Sequence, residues 1–315
     1  MNTTMRACRH GFAAALLESA RKDSSIFVIS SDSKGSAAIG EFERQLPSQF
    51  VEVGIAEQDA VGMAAGLARC GKNVFVSGPA SFYSTRSLDQ VKVDVAYARS
   101  NVKIFGISGG ASYGALGSTH HSLHDIAVMR AFPNMSVFLP CDYYSTAALT
   151  KYLAEHDLPA YVRIGRNPVN DVYGETIPDF VPGKANVLRN GDDCALIAAG
   201  EMVQSAVAAS DKLLLRGIRA RVLDFWSIKP IDTAAIRAAA RETRCIITIE
   251  EHSVYGGLGS AVAEIVVQNE PAPMRILGFP DEWAPAGSQE ELFAYYKLTA
   301  DDVAAAAELC LSEKR

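Results

Sequence analysis

Short apolar runs alternate with longer amphipathic stretches along the first half of the chain. The runs have the length of buried strands, and the stretches between them repeat their apolar residues at helical spacing. Strands are predicted at about 26–30, 51–53, 74–76, 102–107, 136–139 and 160–164. Helices are predicted at about 5–20, 56–68, 88–98, 125–130 and 144–154. This alternation predicts a mostly parallel sheet that is covered by helices on both faces.

A segment rich in proline and glycine separates this series from a second one. Pro168, Pro178 and Pro182 interrupt regular structure there, so the segment is predicted to be a crossing linker. Beyond it, strands are predicted at about 194–198, 218–224, 245–250 and 274–278, with helices at about 202–216, 234–241 and after residue 259. The predicted fold class is therefore α/β, with two doubly wound domains at 1–168 and 189–315 and a linker at 169–188.

The composition narrows the class of protein. The chain has 315 residues, of which 49% are hydrophobic, so each half is long enough to bury a core. Its formal charge of −6 provides no basic surface of the kind that binds nucleic acid or an anionic membrane. The first apolar stretch is interrupted at Glu18 and is followed by Arg21 and Lys22, which is unlike a signal peptide, and no stretch reaches the length of a membrane span. We expect a cytoplasmic enzyme that acts on small metabolites.

The cysteines do not indicate a metal or redox site. Six of them are spread along the chain, and no pair has the spacing of metal ligands or of a redox motif. Free thiols of this kind are typical of a reducing cytoplasm. No metal site is predicted in this chain.

The sequence around Glu57 carries the strongest indication of chemistry. Glu57 lies in the first turn of the helix that follows the strand at 51–53, and residues 62–66 of that helix are Gly, Met, Ala, Ala and Gly. Acidic residues in a first turn commonly only complement the helix dipole, so the position alone does not decide the role. A helix with so few large side chains, however, permits the close approach of another backbone or of a flat ligand.

The segment from Gly54 to Gln58, followed by the small residues at 62–66, resembles the pyrimidine-binding segment of the transketolase family of thiamine diphosphate enzymes. The resemblance implies that the carboxyl group of Glu57 is catalytic. In this family such a group hydrogen-bonds a pyrimidine ring nitrogen and favours the imino form of the cofactor, which then generates the reactive carbanion. The likeness extends through nearly the whole chain, which is similar to the carboxyl-terminal half of a transketolase.

The resemblance does not include the half of a transketolase that binds the metal. The family binds Mg²⁺ through a Gly-Asp-Gly sequence and a downstream Asn, because Mg²⁺ prefers oxygen ligands next to phosphate. The candidate at 191–193 reads Gly-Asp-Asp and is better explained as a turn. The resemblance therefore implies the second subunit of a split transketolase. An N-terminal partner subunit would bind the diphosphate and Mg²⁺, in an α₂β₂ heterotetramer that acts on sugars of the pentose phosphate type.

The resemblance also implies which residues contact the cofactor. Asp32 follows the first strand, at a position that lies near the cofactor in the family. Phe82 matches an aromatic residue that packs against the aminopyrimidine in the family. The neighbouring Tyr83 is the other aromatic residue here, and a place in the hydrophobic core is the ordinary alternative role for it. Arg86 completes the implied cofactor contacts.

A second group of residues is implied in binding the phosphate of the substrate. They are Arg6 in the first helix, Ser36, His120 and Arg166, which would together form one anion pocket. His120 is also implied in catalysis through a substrate oxygen. Its neighbours His121 and His124 are expected to orient it or to face solvent.

Two alternative functions share parts of this pattern. The beta subunit of a 2-oxoacid dehydrogenase carries the same glutamate motif, and a non-catalytic scaffold subunit could keep the fold without the chemistry. Retention of Glu57 argues against the scaffold, since burying an unused carboxyl group is costly.

One departure from the family pattern concerns the donor sugar. Transketolases carry Thr-His and Glu-Asp where this chain has Ile107-Ser108 and Ala115-Leu116, and a leucine cannot accept a hydrogen bond. We therefore expect a ketose altered at its third carbon, such as apulose 4-phosphate, as the donor.

Overall fold

Three sheets contain the strands of the protein, whose computed structural model describes residues 5–178 and 180–313. The first strands in chain order are β1 (Met5–Ala7), β2 (Ile26–Ser30), β3 (Phe50–Glu52), β4 (Asn73–Pro79), β5 (Val102–Ile107), β6 (Ser136–Phe138) and β7 (Ala160–Ile164). They are followed by β8 (Pro168–Asn170), β9 (Asn186–Arg189), β10 (Cys194–Ala198), β11 (Ala220–Asp224), β12 (Ser227–Lys229), β13 (Ile246–Ser253) and β14 (Met274–Phe279).

The helices between them have the following bounds. The first half contains α1 (Cys8–Lys22), α2 (Lys34–Ala37), α3 (Gly40–Gln45), α4 (Glu57–Arg69), α5 (Ala80–Tyr83), α6 (Leu88–Gln90), α7 (Asp125–Ala131) and α8 (Tyr143–Glu155). The second half contains α9 (Val203–Leu215), α10 (Thr233–Glu242), α11 (Leu258–Asn269), α12 (Gln289–Tyr295) and α13 (Ala300–Ser312). Side-chain caps mark several of these starts, for example Asp142 at α8 and Thr299 at α13, where the capping side chain accepts a backbone N–H of the first turn.

The larger sheet has the order β12-β6-β7-β5-β4-β2-β3, and every pair except β12 with β6 is parallel. Alternate residues of β4 point to opposite faces of it. Phe75 packs in the core with α1 and α8, whereas Val74 and Val76 pack in the core with α4 and α7. The predicted parallel α/β sheet with helices on both faces is confirmed.

The smaller sheet has the order β14-β13-β10-β11-β9. It is parallel apart from the edge strand β9, which pairs antiparallel with β11. Helices α9 and α13 pack on one face, and α10 and α11 pack on the other. The second doubly wound unit predicted from the sequence is thus present, while β12 from this half extends the edge of the larger sheet.

Two boundaries differ from the sequence prediction. The first helix begins at Cys8, because Met5–Ala7 forms β1 and pairs antiparallel with Pro168–Asn170 of β8. Arg6 therefore lies on a strand and not in a helix. The segment predicted to be a linker also contributes β8 and β9. Both differences arise from strand pairing between distant segments, which local periodicity does not reveal.

A buried group of charged residues joins the two halves. The Arg163 guanidinium, from β7, lies 3.6 Å from Asp125 and 3.5 Å from the Glu251 carboxylate of β13. Glu251 also accepts hydrogen bonds from the backbone N–H of Ala111 and from the amide of Gln289, both at 2.8 Å. These contacts hold the glycine-rich loop after β5 against the second half. Among the described residues, no helix is both long and apolar enough to cross a membrane.

Candidate active site

Parallel strands bring the predicted site residues to one edge of the larger sheet. Asp32 follows β2, Phe82 follows β4, His120 lies in the loop after β5 and Arg166 follows β7. Glu57 begins α4 just beyond β3. The carboxyl ends of parallel strands lie at the same edge, which is where α/β folds bind their ligands.

Glu57 is buried at the amino end of α4. Only 5% of it is exposed, and Oε1 accepts a hydrogen bond from Nη1 of Arg86 at 3.0 Å. The residue before it, Ala56, provides no side-chain cap, so the helix dipole and Arg86 are what stabilise the carboxylate. A cleft of about 580 Å³ opens here, lined by Ile55, Glu57, Gln58 and Arg86 among others.

Aromatic rings extend this site away from Glu57. The Arg86 guanidinium lies 3.8 Å from the Phe82 ring centroid, and the Phe82 ring meets the His120 ring edge-on at 5.3 Å between centroids. Tyr83 points into the core instead, where its hydroxyl donates to Oγ of Ser31 at 2.9 Å. Phe82, and not Tyr83, is therefore the aromatic residue that borders the cleft residue Arg86.

His120 is held within its loop by two neighbours. Its Nδ1 lies 3.0 Å from Oγ1 of Thr119, and its ring meets the Tyr113 ring edge-on at 5.5 Å. His121 is buried, with Nε2 at 2.9 Å from the carbonyl oxygen of Gly114, and burial lowers its pKa. His124 lies 3.3 Å from Oγ of Ser84. His121 therefore does not face solvent, and it contacts the loop backbone from inside. That it orients His120 stays a prediction.

Sequence reasoning missed Arg9, which is hydrogen-bonded to Ser36 and is affected by the charge of Arg166. Arg166 lies over the Tyr113 ring, 5.0 Å from its centroid. Arg9, on α1, donates from Nη1 to the backbone oxygen of Ser36 at 3.1 Å. Burial lowers the pKa of Arg9, and the charge of nearby Arg166 lowers it further. The signal available in the sequence was a second arginine three residues after Arg6.

Arg6 has different neighbours. Its guanidinium forms an ion pair with Asp171 at 2.6 Å and lies over the rings of Tyr143 and Tyr144, at 4.2 and 4.3 Å from their centroids. The hydrogen bond to Asp171 raises the pKa of Arg6. The ion pair links β1 to the segment after β8. Arg6 therefore already has a carboxylate partner within its own chain.

Asp32 occupies a strained turn at the end of β2. Its φ is +52°, a left-handed conformation that aspartate tolerates better than most residues. Its backbone N–H donates to Oε1 of Glu52 at 2.7 Å, which links the ends of β2 and β3. The Asp32 side chain is exposed at this edge of the sheet.

The two positions that depart from the transketolase pattern differ in exposure. Ser108 is fully buried in a left-handed conformation with φ of +58°, and within the described residues its hydroxyl has no hydrogen-bond partner. Leu116 ends a short 3₁₀ turn, Gly114–Leu116, and 53% of it is exposed. The loop that carries His120 therefore contains an unpaired buried hydroxyl at its start and an exposed leucine near its middle.

The turn at 191–193 has structural partners. The Asp192 carboxylate forms an ion pair with Arg219 at 2.6 Å, and Asp193 accepts the backbone N–H of Arg219 at 2.8 Å. In the part of the chain that the structure describes, no group of three or more His, Cys, Asp and Glu side chains is arranged to hold a metal ion.

Two family models match the chain. The one described as "Transketolase, pyrimidine binding domain" matches residues 4–171, and the one described as "Transketolase, C-terminal domain" matches residues 183–303. One subunit of the apulose-4-phosphate transketolase of Phocaeicola vulgatus is 55% identical over 303 residues, which cover 96% of this chain and 97% of that protein. The 6-deoxy-6-sulfo-D-fructose transketolase subunit SqwH of a Clostridium species is 38% identical over 299 residues, covering 95% and 92%.

Solved structures give the same result for the fold. A structure described as "Split gene transketolase, inactive beta4 tetramer" matches with a TM-score of 0.89 and 38% identity, covering 98% of this chain and 99% of that one. A transketolase from Campylobacter jejuni matches with a TM-score of 0.83 at 15% identity, covering 98% of this chain and 47% of the longer one. At 15% identity, the second match is evidence for the fold alone.

Proposed function

The chain belongs to the transketolase family, and on that premise we propose that it is the pyrimidine-binding subunit of a two-subunit transketolase. With a partner it transfers a two-carbon ketol unit from a ketose phosphate to an aldose phosphate. The observation that carries this proposal is the buried Glu57 carboxylate, which faces a cleft of about 580 Å³ at the carboxyl edge of a parallel sheet.

The residues around that cleft suit the pyrimidine end of thiamine diphosphate. Glu57 offers a carboxyl oxygen for a ring nitrogen, Phe82 offers an aromatic ring, and Arg86 contacts both of them. Asp32 lies at the end of β2, at the same edge of the sheet. Bound thiamine diphosphate supplies the nucleophile that cleaves a ketose next to its carbonyl group. The role of Glu57 is to hold and exchange a proton at the pyrimidine nitrogen, and Arg86 positions its carboxylate.

The partner subunit supplies the other end of the cofactor. Mg²⁺ and the diphosphate bind to this N-terminal subunit, in an α₂β₂ heterotetramer whose active sites lie between the two kinds of chain. The inactivity stated for the β₄ tetramer of a split-gene relative supports the expectation that this chain is inactive alone.

The phosphate of the substrate binds beyond His120. Ser36, His120 and Arg166 lie at the same sheet edge, and guanidinium and imidazole donors suit a phosphate. Arg6, the fourth residue proposed for this pocket, would have to leave or share its ion pair with Asp171 to contribute. His120 also contacts a substrate oxygen during transfer.

The donor is proposed to be a branched pentulose phosphate such as apulose 4-phosphate, with a simple aldose phosphate as acceptor. The apolar Leu116 supports this proposal, because it offers no partner to the hydroxyl of a straight-chain ketose. The relative from Phocaeicola vulgatus, named for apulose 4-phosphate, adds support. The two family matches favour transketolase over the beta subunit of a 2-oxoacid dehydrogenase.

A donor panel tests this function. The chain is combined with its partner subunit, thiamine diphosphate and Mg²⁺, and kcat/KM is measured for branched and straight-chain ketose phosphates. We expect the branched donor to be preferred. If kcat/KM for xylulose 5-phosphate equals that for the branched donor, the chain belongs to an ordinary split transketolase and the inference from Leu116 is wrong.

A further inference from the structure

The loop between β5 and α7, residues 108–124, carries His120 and contains four glycines. A glycine-rich segment loses much conformational entropy when it adopts a single structure, so contacts from outside must hold it. Gly114 shows how close the second half of the chain comes to this loop. A Cβ atom at this position would lie only 2.8 Å from the carbonyl oxygen of Gly287.

Two hydrogen bonds fix the same loop to the second half. The backbone N–H of Ala111 donates to Oε1 of Glu251 at 2.8 Å, and Oγ of Ser118 donates to the carbonyl oxygen of Ala284 at 2.6 Å. The first of these bonds is buried, so its loss would leave a polar group without a partner. The second half of the chain therefore determines where the loop, and His120 with it, lies.

Gln289, the first residue of α12, joins these contacts to the segment after β7. Its Nε2 donates at 2.8 Å to Oε1 of Glu251, the same oxygen that accepts from Ala111. Its Oε1 accepts from Nδ2 of Asn167, also at 2.8 Å, and this nitrogen lies 3.4 Å from the carbonyl oxygen of Ser112. One half-buried amide thus connects three segments that are far apart in the sequence.

The start of α12 does not need the Gln289 side chain. Ser288 caps this helix through its side chain, which accepts the backbone N–H of Glu291, and the Glu291 side chain in turn accepts the backbone N–H of Ser288. This capping box is complete without Gln289. The Gln289 amide therefore serves the contact between the two halves rather than the helix that carries it.

We propose that Gln289 is a positioning residue for ketol transfer, which holds the loop at residues 108–124 in the arrangement that presents His120 to the substrate. Asn167 follows Arg166 in the chain, so the same amide also fixes the segment that bears this arginine. The inference rests on the proposed function for the roles of His120 and Arg166. Gln289 itself acts only through the hydrogen bonds to its two neighbours.

The test compares four variants of the chain in the complex with the partner subunit. Gln289→Met removes both hydrogen bonds and keeps a side chain of similar volume. Gln268→Met is the matched control, because it makes the same change at an exposed glutamine of α11 in the same half. Asn167→Ala removes the other partner, and the variant with both Gln289→Met and Asn167→Ala shows whether the two residues act together.

Three quantities are measured for each variant. Amide hydrogen exchange of residues 108–124 reports on the loop without any need for turnover, and exchange of β10 serves as the reference for the stability of the fold. The second quantity is kcat/KM for ketol transfer. The third is the dissociation constant of thiamine diphosphate, because Glu57, Phe82 and Arg86 lie outside the loop.

For Gln289→Met we expect the loop to exchange about tenfold faster, with β10 unchanged. We expect kcat/KM to fall about 10- to 100-fold, since a small misplacement of a positioned group has an effect of this size. Thiamine diphosphate should bind as it does to the wild type, and Gln268→Met should match the wild type in every measurement. Asn167→Ala should act in the same direction as Gln289→Met, and the double variant should lose less than the product of the two single losses.

The proposal is overturned if the loop exchanges at the wild-type rate in both Gln289→Met and Asn167→Ala, or if transfer is unaffected. It is also overturned if thiamine diphosphate binding weakens as much as transfer does, because that result would mean a general loss of structure. Absence of ketol transfer in the wild-type complex would refute the proposed function instead. Hydrogen exchange would then still decide whether Gln289 holds the loop.

Discussion

At the scale of single residues, the proposed chemistry depends on Glu57. A carboxylate with 5% exposure and one arginine partner is costly to retain unless its charge is used. Asp59 lies in the same helical turn but is exposed. A comparison of the two residues therefore distinguishes a chemical role from a simple interaction with the helix dipole.

Glu57→Gln is expected to leave the assembly intact and to lower kcat by about 10² to 10⁴. The amide can still form hydrogen bonds, but it cannot exchange the proton that the cofactor pyrimidine requires. Asp59→Asn should keep nearly full activity, since it removes a carboxyl group from the same turn without touching the buried one. Turnover and subunit assembly are measured for both variants. Similar activity in the two would mean that Glu57 only stabilises the helix.

At the scale of elements, the sequence predicted the buried strands best. Each run at β2, β4, β5 and β7 is apolar enough to be recognised alone, and the order of strand and helix then places Glu57, Phe82, His120 and Arg166 at one edge. The pairing of β1 with β8 was missed, because it joins segments about 160 residues apart and leaves no local signal. Because of this pairing, Arg6 lies on β1 and not, as the sequence had predicted, in the first helix.

The loop after β5 is predicted to set the choice of donor. Leu116→Asp restores an acceptor for a sugar hydroxyl, and the exposure of this side chain means that the substitution should be tolerated. We expect the ratio of kcat/KM for straight-chain over branched donors to rise by about tenfold or more. Leu116→Met keeps an apolar side chain of similar volume and should leave the ratio unchanged. A constant ratio in Leu116→Asp would show that this residue does not contact the donor.

Strand β5 also carries a buried lysine that makes stability depend on pH. Burial lowers the pKa of Lys103 from 10.5 to about 7, and its amine donates to Oδ1 of Asn73 at 2.6 Å. The unfolded chain therefore binds one more proton than the folded chain between pH 7 and 10.5. The contribution of Lys103 to stability rises with pH across this window.

Lys103→Met removes this titration. We expect the free energy of unfolding of the wild type, minus that of the variant, to increase as the pH is raised from about 7 to about 10. Chemical denaturation of both proteins at each pH gives the difference. A difference that stays constant would mean that the amine keeps its ordinary pKa in the folded protein.

At the scale of the whole molecule, contacts between distant segments were beyond sequence reasoning. Glu251 of β13 meets Arg163 of β7 in the interior, and burial raises the pKa of nearby Glu201 to about 8. The charge of Arg166 likewise lowers the pKa of Arg9, although the two residues lie at opposite ends of the first half of the chain. The sequence nevertheless indicated the most general property, the likeness to the pyrimidine-binding part of a transketolase, through the motif around Glu57.

Ketol transfer by separated and mixed subunits tests the central claim most directly. This chain, its partner subunit and their mixture are each assayed with thiamine diphosphate, Mg²⁺, a ketose phosphate donor and an aldose phosphate acceptor. We predict transfer by the mixture alone, with a loss of about 10² or more when the chain carries Glu57→Gln. Full transfer by this chain without its partner, or none by the mixture with any ketose phosphate, would contradict the claim.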